Sequence, residues 1–275
     1  MTTGETGVVN PWSHLDFHND PNAFQFAIVS DRAGSARPGI FEDAVSKLNL
    51  LQPEFVMSVG DQIEGFTHDA LEVNAQWDEF EGFISELEMP FFYLAGNHDY
   101  SNPTMAELWR KRFGRPYYSF VYRDVLFLCL NSEDSALHHI SSAQSQWARD
   151  TLAAHSDVRW TFVFLHTPMW NYAEDYGWPG IEASLQGRNH TVFAGHYHSY
   201  LRTERNDTRY YILASTGGIS RLRGPSYGEF DQVVWVTMTS SGPVIANLML
   251  DGILRDDIQT PESKSLVDTL SINTF

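Results

Sequence analysis

Five apolar, strand-like runs in this chain end in or beside a residue whose side chain can ligate a metal or donate a hydrogen bond. FQFAIVS precedes Asp31, FVMSVG precedes Asp61, FFYLAG precedes Asn97, FVFL precedes His166 and TVFAG precedes His196. Runs of this length and composition read as buried strands. Donors placed just past several strand ends converge on one edge of a sheet, so the fold must bring those ends together.

The segments between the runs support this. Helical patterning covers about Phe41 to Leu50 and Asp69 to Leu87, and this alternation of strand and helix predicts parallel pairing with right-handed crossovers. Asn102-Pro103 opens a short helix through Arg112. Two adjacent strands follow, Tyr117 to Tyr122 and Val125 to Leu130, around the tight Arg123-Asp124. A helix from about Ser142 to His155 leads back to the strand before His166. Further strands are expected at Arg209 to Ala214, Gln232 to Thr239 and Val244 to Leu250, with Ser241-Gly242-Pro243 as a turn. The resulting fold class is α/β: two mixed sheets flanked by helices in a four-layer α/β/β/α sandwich, with the site at the strand ends.

One domain spanning residues 1–275 is expected, because the motifs run through most of the chain. Residues 1–23, including His14, Asp16, His18 and Asp20, read as an N-terminal clasp, and residues 251–275 as a C-terminal extension. A net charge of -17 argues against a long nucleic acid as partner, while small phosphorylated molecules remain open. Cys129 is the single cysteine, so it packs as a small hydrophobe and no intrachain disulfide can form. With neither a basic and apolar leader nor a bilayer-length apolar run, the chain reads as cytoplasmic, with no membrane contact and a homo-oligomer possible.

The donor types explain why they recur together. A carboxylate can bridge two cations, imidazoles suit zinc, manganese and iron, and an amide oxygen adds a ligand without charge. Two cations roughly 3.5 to 4 Å apart can acidify a shared water and clamp an in-line phosphoryl displacement. The ordered set Asp31, Gly60-Asp61, Gly96-Asn97-His98-Asp99, His166 and Gly195-His196-x-His198 resembles the calcineurin-like metallophosphoesterase family. The resemblance implies two metal ions, Mn, Fe, Zn or Mg. Asp61 would bridge them, Asn97, His166 and His196 would complete the second site, and Asp31 and His198 would serve the first. His98 would steady the phosphate and assist the leaving group, with Asp99 orienting it. His138, His139, His155 and His190 fit ordinary hydrogen-bonded histidines better than ligands.

The first block departs from the family's Asp-x-His, since this chain has Asp31-Arg32-Ala33-Gly34 and Ala33 cannot ligate. A related branch, the purple acid phosphatases, also lacks that histidine and uses a tyrosine three residues after the bridging aspartate. Glu64 holds that position here and is a candidate oxygen ligand, or else an ordinary loop carboxylate. Arg32 could hold phosphate oxygens bidentately, or form a salt bridge. Arg221 and Arg223 could meet a substrate or lie in a solvated loop. The aromatic segment Thr167 to Gly180 could wall the pocket or cap the core.

The leading function is a metal-dependent phosphoester hydrolase, a phosphodiesterase or phosphomonoesterase using metal-activated hydroxide on a small phosphorylated substrate. The opposing class is a non-catalytic binding or scaffold protein of this fold with an eroded first site.

Overall fold

A computed structural model describes residues 18–172 and 176–253. Its strands are β1 (Phe24–Val29), β2 (Val56–Ser58), β3 (Phe91–Phe92), β4 (Tyr118–Tyr122), β5 (Val125–Cys129), β6 (Trp160–Phe164), β7 (His190–Ala194), β8 (Leu201–Arg205), β9 (Thr208–Ile212), β10 (Gln232–Thr239) and β11 (Gly242–Met249). The helices are α1 (Ile40–Leu51), α2 (Ala70–Ile84), α3 (Pro103–Arg112), α4 (Ser142–Ala154) and α5 (Trp178–Leu185). One sheet has the order β11-β10-β1-β2-β3 and the other β4-β5-β6-β7-β9-β8. β1, β2 and β3 pair in parallel, as do β5, β6, β7 and β9, while β10, β11, β4 and β8 are antiparallel additions. This is the four-layer sandwich expected from the sequence.

Side-chain alternation builds the layers. Phe24, Phe26 and Ile28 of β1 meet Val125, Phe127 and Cys129 of β5 between the sheets, with Phe162, Phe164 and Phe193. Ala27 and Val29 face outward onto α1, α2 and α3 through Phe41, Leu48, Trp77 and Trp109. Leu126 and Leu128 of β5 face the opposite way, onto Ala148, Leu152 and Ile181 of α4 and α5. Each aromatic ring so buried contributes on the order of 1.5–3 kcal/mol. Cys129 lies in the inter-sheet layer, where burial pushes its thiol up to about 12.

Local signals set the helix ends. The Asp69 carboxylate accepts from Leu71 N–H, Asn102 Oδ1 from Met105 N–H ahead of Pro103, and Ser141 Oγ from Gln144 N–H. Two elements were not anticipated. α5 begins inside the aromatic stretch, for which no helix was expected, just after Gly177 takes a φ of 89°. β8 forms a hairpin with β9 through Asn206-Asp207, both at positive φ, as a type I′ turn requires.

His14 and Asp16 of the expected clasp, and most of the C-terminal extension, lie outside the described residues. Within them, Asp20 accepts the Ser240 N–H at the β10–β11 turn at 2.8 Å. No helix among the described residues is long and apolar enough to cross a membrane.

The inter-sheet layer generates a test. Phe26 is fully buried, with ring centroids of Phe55, Phe127 and Phe162 at 5.3, 5.3 and 5.2 Å. Phe26→Ala should lower the free energy of urea unfolding by about 3–5 kcal/mol.

Candidate metal centre

The donors gather where both sheets end. Asp31, Asp61 and Asn97 follow β1, β2 and β3, while His166 and His196 follow β6 and β7. Asp31, Asp61 and His166 bring one ligand atom each within 4.8 Å of one another, all buried. Asn97 Oδ1 lies 2.8 Å from His166 Nε2 and 2.8 Å from His196 Nδ1, and Asp61 Oδ2 lies 3.2 Å from His166 Nε2. His198 Nε2 lies 3.4 Å from Asp31 Oδ1.

Two features of the backbone make this crowding possible. Asp31, Asp61, His196 and His198 all have positive φ, at 36°, 58°, 77° and 51°. For residues with a Cβ this conformation costs of order 1–3 kcal/mol each and persists only where the surroundings impose it. Close approach is the second feature. A Cβ at Gly96 would stand 2.3 Å from Asp61 Oδ1, and one at Gly195 would stand 2.4 Å from Asp31 Oδ2, so both positions require glycine.

Backbone carbonyls fix which nitrogen of three imidazoles faces the centre. His166 Nδ1 donates to Val59 C=O at 2.8 Å, His198 Nδ1 to Ile219 C=O at 2.8 Å and His98 Nδ1 to Glu64 C=O at 2.6 Å. In each ring Nε2 is left for the site. Burial alone would lower His166, but Asp61 and Asp31 override it and raise its pKa to about 10. Burial lowers His196 to about 4, reinforced by the charge on His166. The field of the two carboxylates therefore favours positive charge in the middle of this donor set. Buried carboxylates, imidazoles and an amide oxygen fit borderline cations of the Zn, Mn and Fe class.

The two residues bearing the GNHD chemistry are held differently from expectation. Asp99 does not orient His98. Its Oδ1 accepts the Gln62 and Ile63 N–H groups, and its Oδ2 those of Asp61 and Gly96. Burial and the Asp61 carboxylate push Asp99 up to about 8, and the N–H groups of Gly96, Ile63 and Gln62 oppose that. Asp99 thus clamps the loop carrying Asp61. His98 is oriented by the Glu64 carbonyl, with Phe66 packed edge-on at 4.6 Å and Asp61 Oδ2 at 4.0 Å from Nε2.

The structure corrects two other expectations. Both Glu64 carboxylate oxygens accept backbone N–H groups, from Ser35 at 3.0 Å and Ala36 at 2.7 Å, so Glu64 braces the loop after Ala33. Arg32 pairs with Glu79 at 2.8 Å, donates to Gln62 C=O and lies over the Phe83 ring, which engages its guanidinium on α2 instead of at the metal donors. Ala33 is fully buried and its N–H donates to Asp61 C=O at 2.9 Å.

A cavity of about 420 Å³ opens at the centre, lined by Gly34, His98, His196, Tyr197, His198 and Arg221 among others. Arg223 is paired with Glu229. A larger cavity, about 640 Å³, lies at the other end of the sheets beside Trp160 and His190, and it holds none of the donors above. In the aromatic stretch, Met169, Trp170 and Trp178 are buried in the core against α4 and α5. Sequence reasoning passed over His138, which the structure brings against His196 with ring centroids 5.0 Å apart. Only its position in the loop beyond the Val125–Leu130 run, another strand ending near the site, could have flagged it.

Because each Asp99 oxygen receives two N–H groups, an amide in its place must turn its own N–H₂ against two donors. Asp99→Asn should destabilise the protein by about 1–3 kcal/mol per orphaned donor and weaken metal binding, read by melting with and without metal.

Comparisons with known proteins point to one family. Residues 16–200 match the model of the calcineurin-like phosphoesterase family. Human serine/threonine-protein phosphatase CPPED1 is 25% identical over 217 residues, covering 70% of this chain and 66% of its own length. The match to the zebrafish (Danio rerio) protein of that name, 29% identical over 182 residues, covers 57% of this chain and 58% of that relative's length. This chain therefore spans less than two thirds of either relative. In fold it is similar to the purple acid phosphatase PPD1 of yellow lupin (Lupinus luteus), with a TM-score of 0.65 at 14% identity over 84% of this chain and 52% of that one. With its strand-end motifs in order and well over half its length matched, the chain belongs to the calcineurin-like phosphoesterase family.

Proposed function

We propose that this chain is a metal-dependent phosphomonoesterase. The observation that carries the reading is the convergence of Asp31, Asp61, Asn97, His166, His196 and His198 on one buried point, with His196 and His198 reaching the wall of an open cavity that His98 and Arg221 also line. The names of the relatives, a serine/threonine-protein phosphatase and an acid phosphatase, favour a monoester over a diester.

Asp61, Asn97, His166 and His196 would hold one cation, and Asp31, Asp61 and His198 a second. Bound there, the metal supplies positive charge and acidifies water. The protein's own groups orient the substrate. With Nδ1 committed to the Glu64 carbonyl, His98 presents Nε2 to a phosphoryl or leaving-group oxygen, and Phe66 limits its rotation. Arg221 places a cation in the same cavity, in a chain that is otherwise strongly acidic. With Ala33 unable to ligate and Glu64 engaged by Ser35 and Ala36, the Asp31 and His198 site is the weaker of the two.

Three substitutions test this. Asp61→Ala should remove metal and aryl phosphate hydrolysis together, and full activity in metal-depleted buffer would sink the proposal. His98→Asn should keep its metal by elemental analysis yet slow turnover of a poor leaving group by about two to four powers of ten. Glu64→Ala should leave the metal content as in the wild type, because both of its oxygens serve backbone N–H groups.

A further inference from the structure

Residues 131–140, between β5 and α4, carry a buried carboxylate that the reaction outlined above does not use. The Glu133 side chain is completely buried. Its Oε1 accepts from Ser132 Oγ at 3.0 Å and from Thr167 Oγ1 at 2.8 Å, and its Oε2 accepts the His138 N–H at 2.7 Å. Thr167 directly follows His166, and its Oγ1 lies 3.0 Å from His138 Nδ1. A hydroxyl has one hydrogen to give. Thr167 gives it to Glu133, so Oγ1 accepts from His138, and Nδ1 is the nitrogen that bears hydrogen. In the neutral ring Nε2 is then a hydrogen-bond acceptor, and among the described residues only Nδ1 has a hydrogen-bond partner.

The same contacts set where the ring stands. His138 is held at a φ of 58°, with its ring 5.0 Å from His196 and stacked on Tyr172 at 5.7 Å. Tying it through Thr167 to the strand end that bears His166 fixes it relative to the metal donors. Its side chain keeps 32% of its surface open. Phosphoryl oxygens are acceptors, so the complement of Nε2 is a donor on another part of the substrate.

Building on the phosphomonoesterase reading, we propose that His138 binds the alcohol portion of the substrate, with Nε2 accepting an O–H or N–H close to the ester oxygen. The preferred substrates are then phosphomonoesters of alcohols that carry such a donor, as a polyol or a phosphoserine in a peptide does, over plain aryl phosphates.

The test compares kcat and KM on glycerol 2-phosphate, a phosphoserine peptide and phenyl phosphate, alongside elemental analysis. In His138→Phe, the kcat/KM ratio of the donor-bearing substrates to phenyl phosphate should fall about tenfold, with metal content as in the wild type. A fall with only one of the two would say whether the donor is a hydroxyl or a peptide N–H. Thr167→Val should lower the ratio in the same direction, and Thr167→Ser, which keeps the hydroxyl, should preserve it. An unchanged ratio in His138→Phe, or a loss of metal from it, would overturn the inference while leaving the hydrolase reading intact. Absence of wild-type turnover on all three substrates would overturn both.

Discussion

Asp31 and Asp61 are two buried carboxylates held side by side by the parallel pairing of β1 with β2, an arrangement that is unfavourable without compensating positive charge. The surrounding structure answers that constraint. Backbone N–H groups of His196 and His98 reach an oxygen of each aspartate, at 2.9 Å in both cases. The pKa of His166 is drawn upward by the same field that would hold a cation. Glycines at 96 and 195 let neighbouring loops approach these oxygens more closely than any side chain would permit.

The site also depends on the sandwich as a whole. Asp31, Asp61 and Asn97 leave one sheet, and His166, His196 and His198 follow strands of the other. Only the packing of Phe24, Phe26 and Phe55 against Phe127, Phe162 and Phe164 sets the distance between these groups. A core close-packed to this degree has little freedom to deform. That rigidity is what four ligand candidates at positive φ require.

Hydrogen bonds behind the donors give the imidazoles their roles. Val59, Ile219 and Glu64 each offer a carbonyl to one Nδ1, and the Glu133–Thr167 pair does the same for His138 through a hydroxyl. Asp99 works one step further out, gathering four N–H groups of the loops that carry Asp61 and Asn97. Charged groups that looked available in sequence are occupied in this supporting layer, Glu64 by Ser35 and Ala36, and Arg32 by Glu79 and the Gln62 carbonyl.

The strand-end donors were legible in the sequence because each follows an apolar run whose periodicity is local, and the order of those runs implied two layered sheets. α1 to α4 were legible for the same reason, and Asp69, Asn102 and Ser141 cap the last three at their own starts. α5 escaped because it is only eight residues long and opens with Trp178-Pro179-Gly180, which leave little helical periodicity to read, and β8 because its exposed, charged face carries little apolar signal. Tertiary structure alone decided how side chains far apart in sequence share partners. Arg32 lies next to Asp31 in the chain, yet its guanidinium turns to α2. His138 has no motif, yet it stands against His196, 58 positions away, because a buried carboxylate and a threonine place it there. Sequence specifies which donors exist and near which strand end they fall. The direction each side chain takes is set by hydrogen bonds and packing that form only once the sheets have come together.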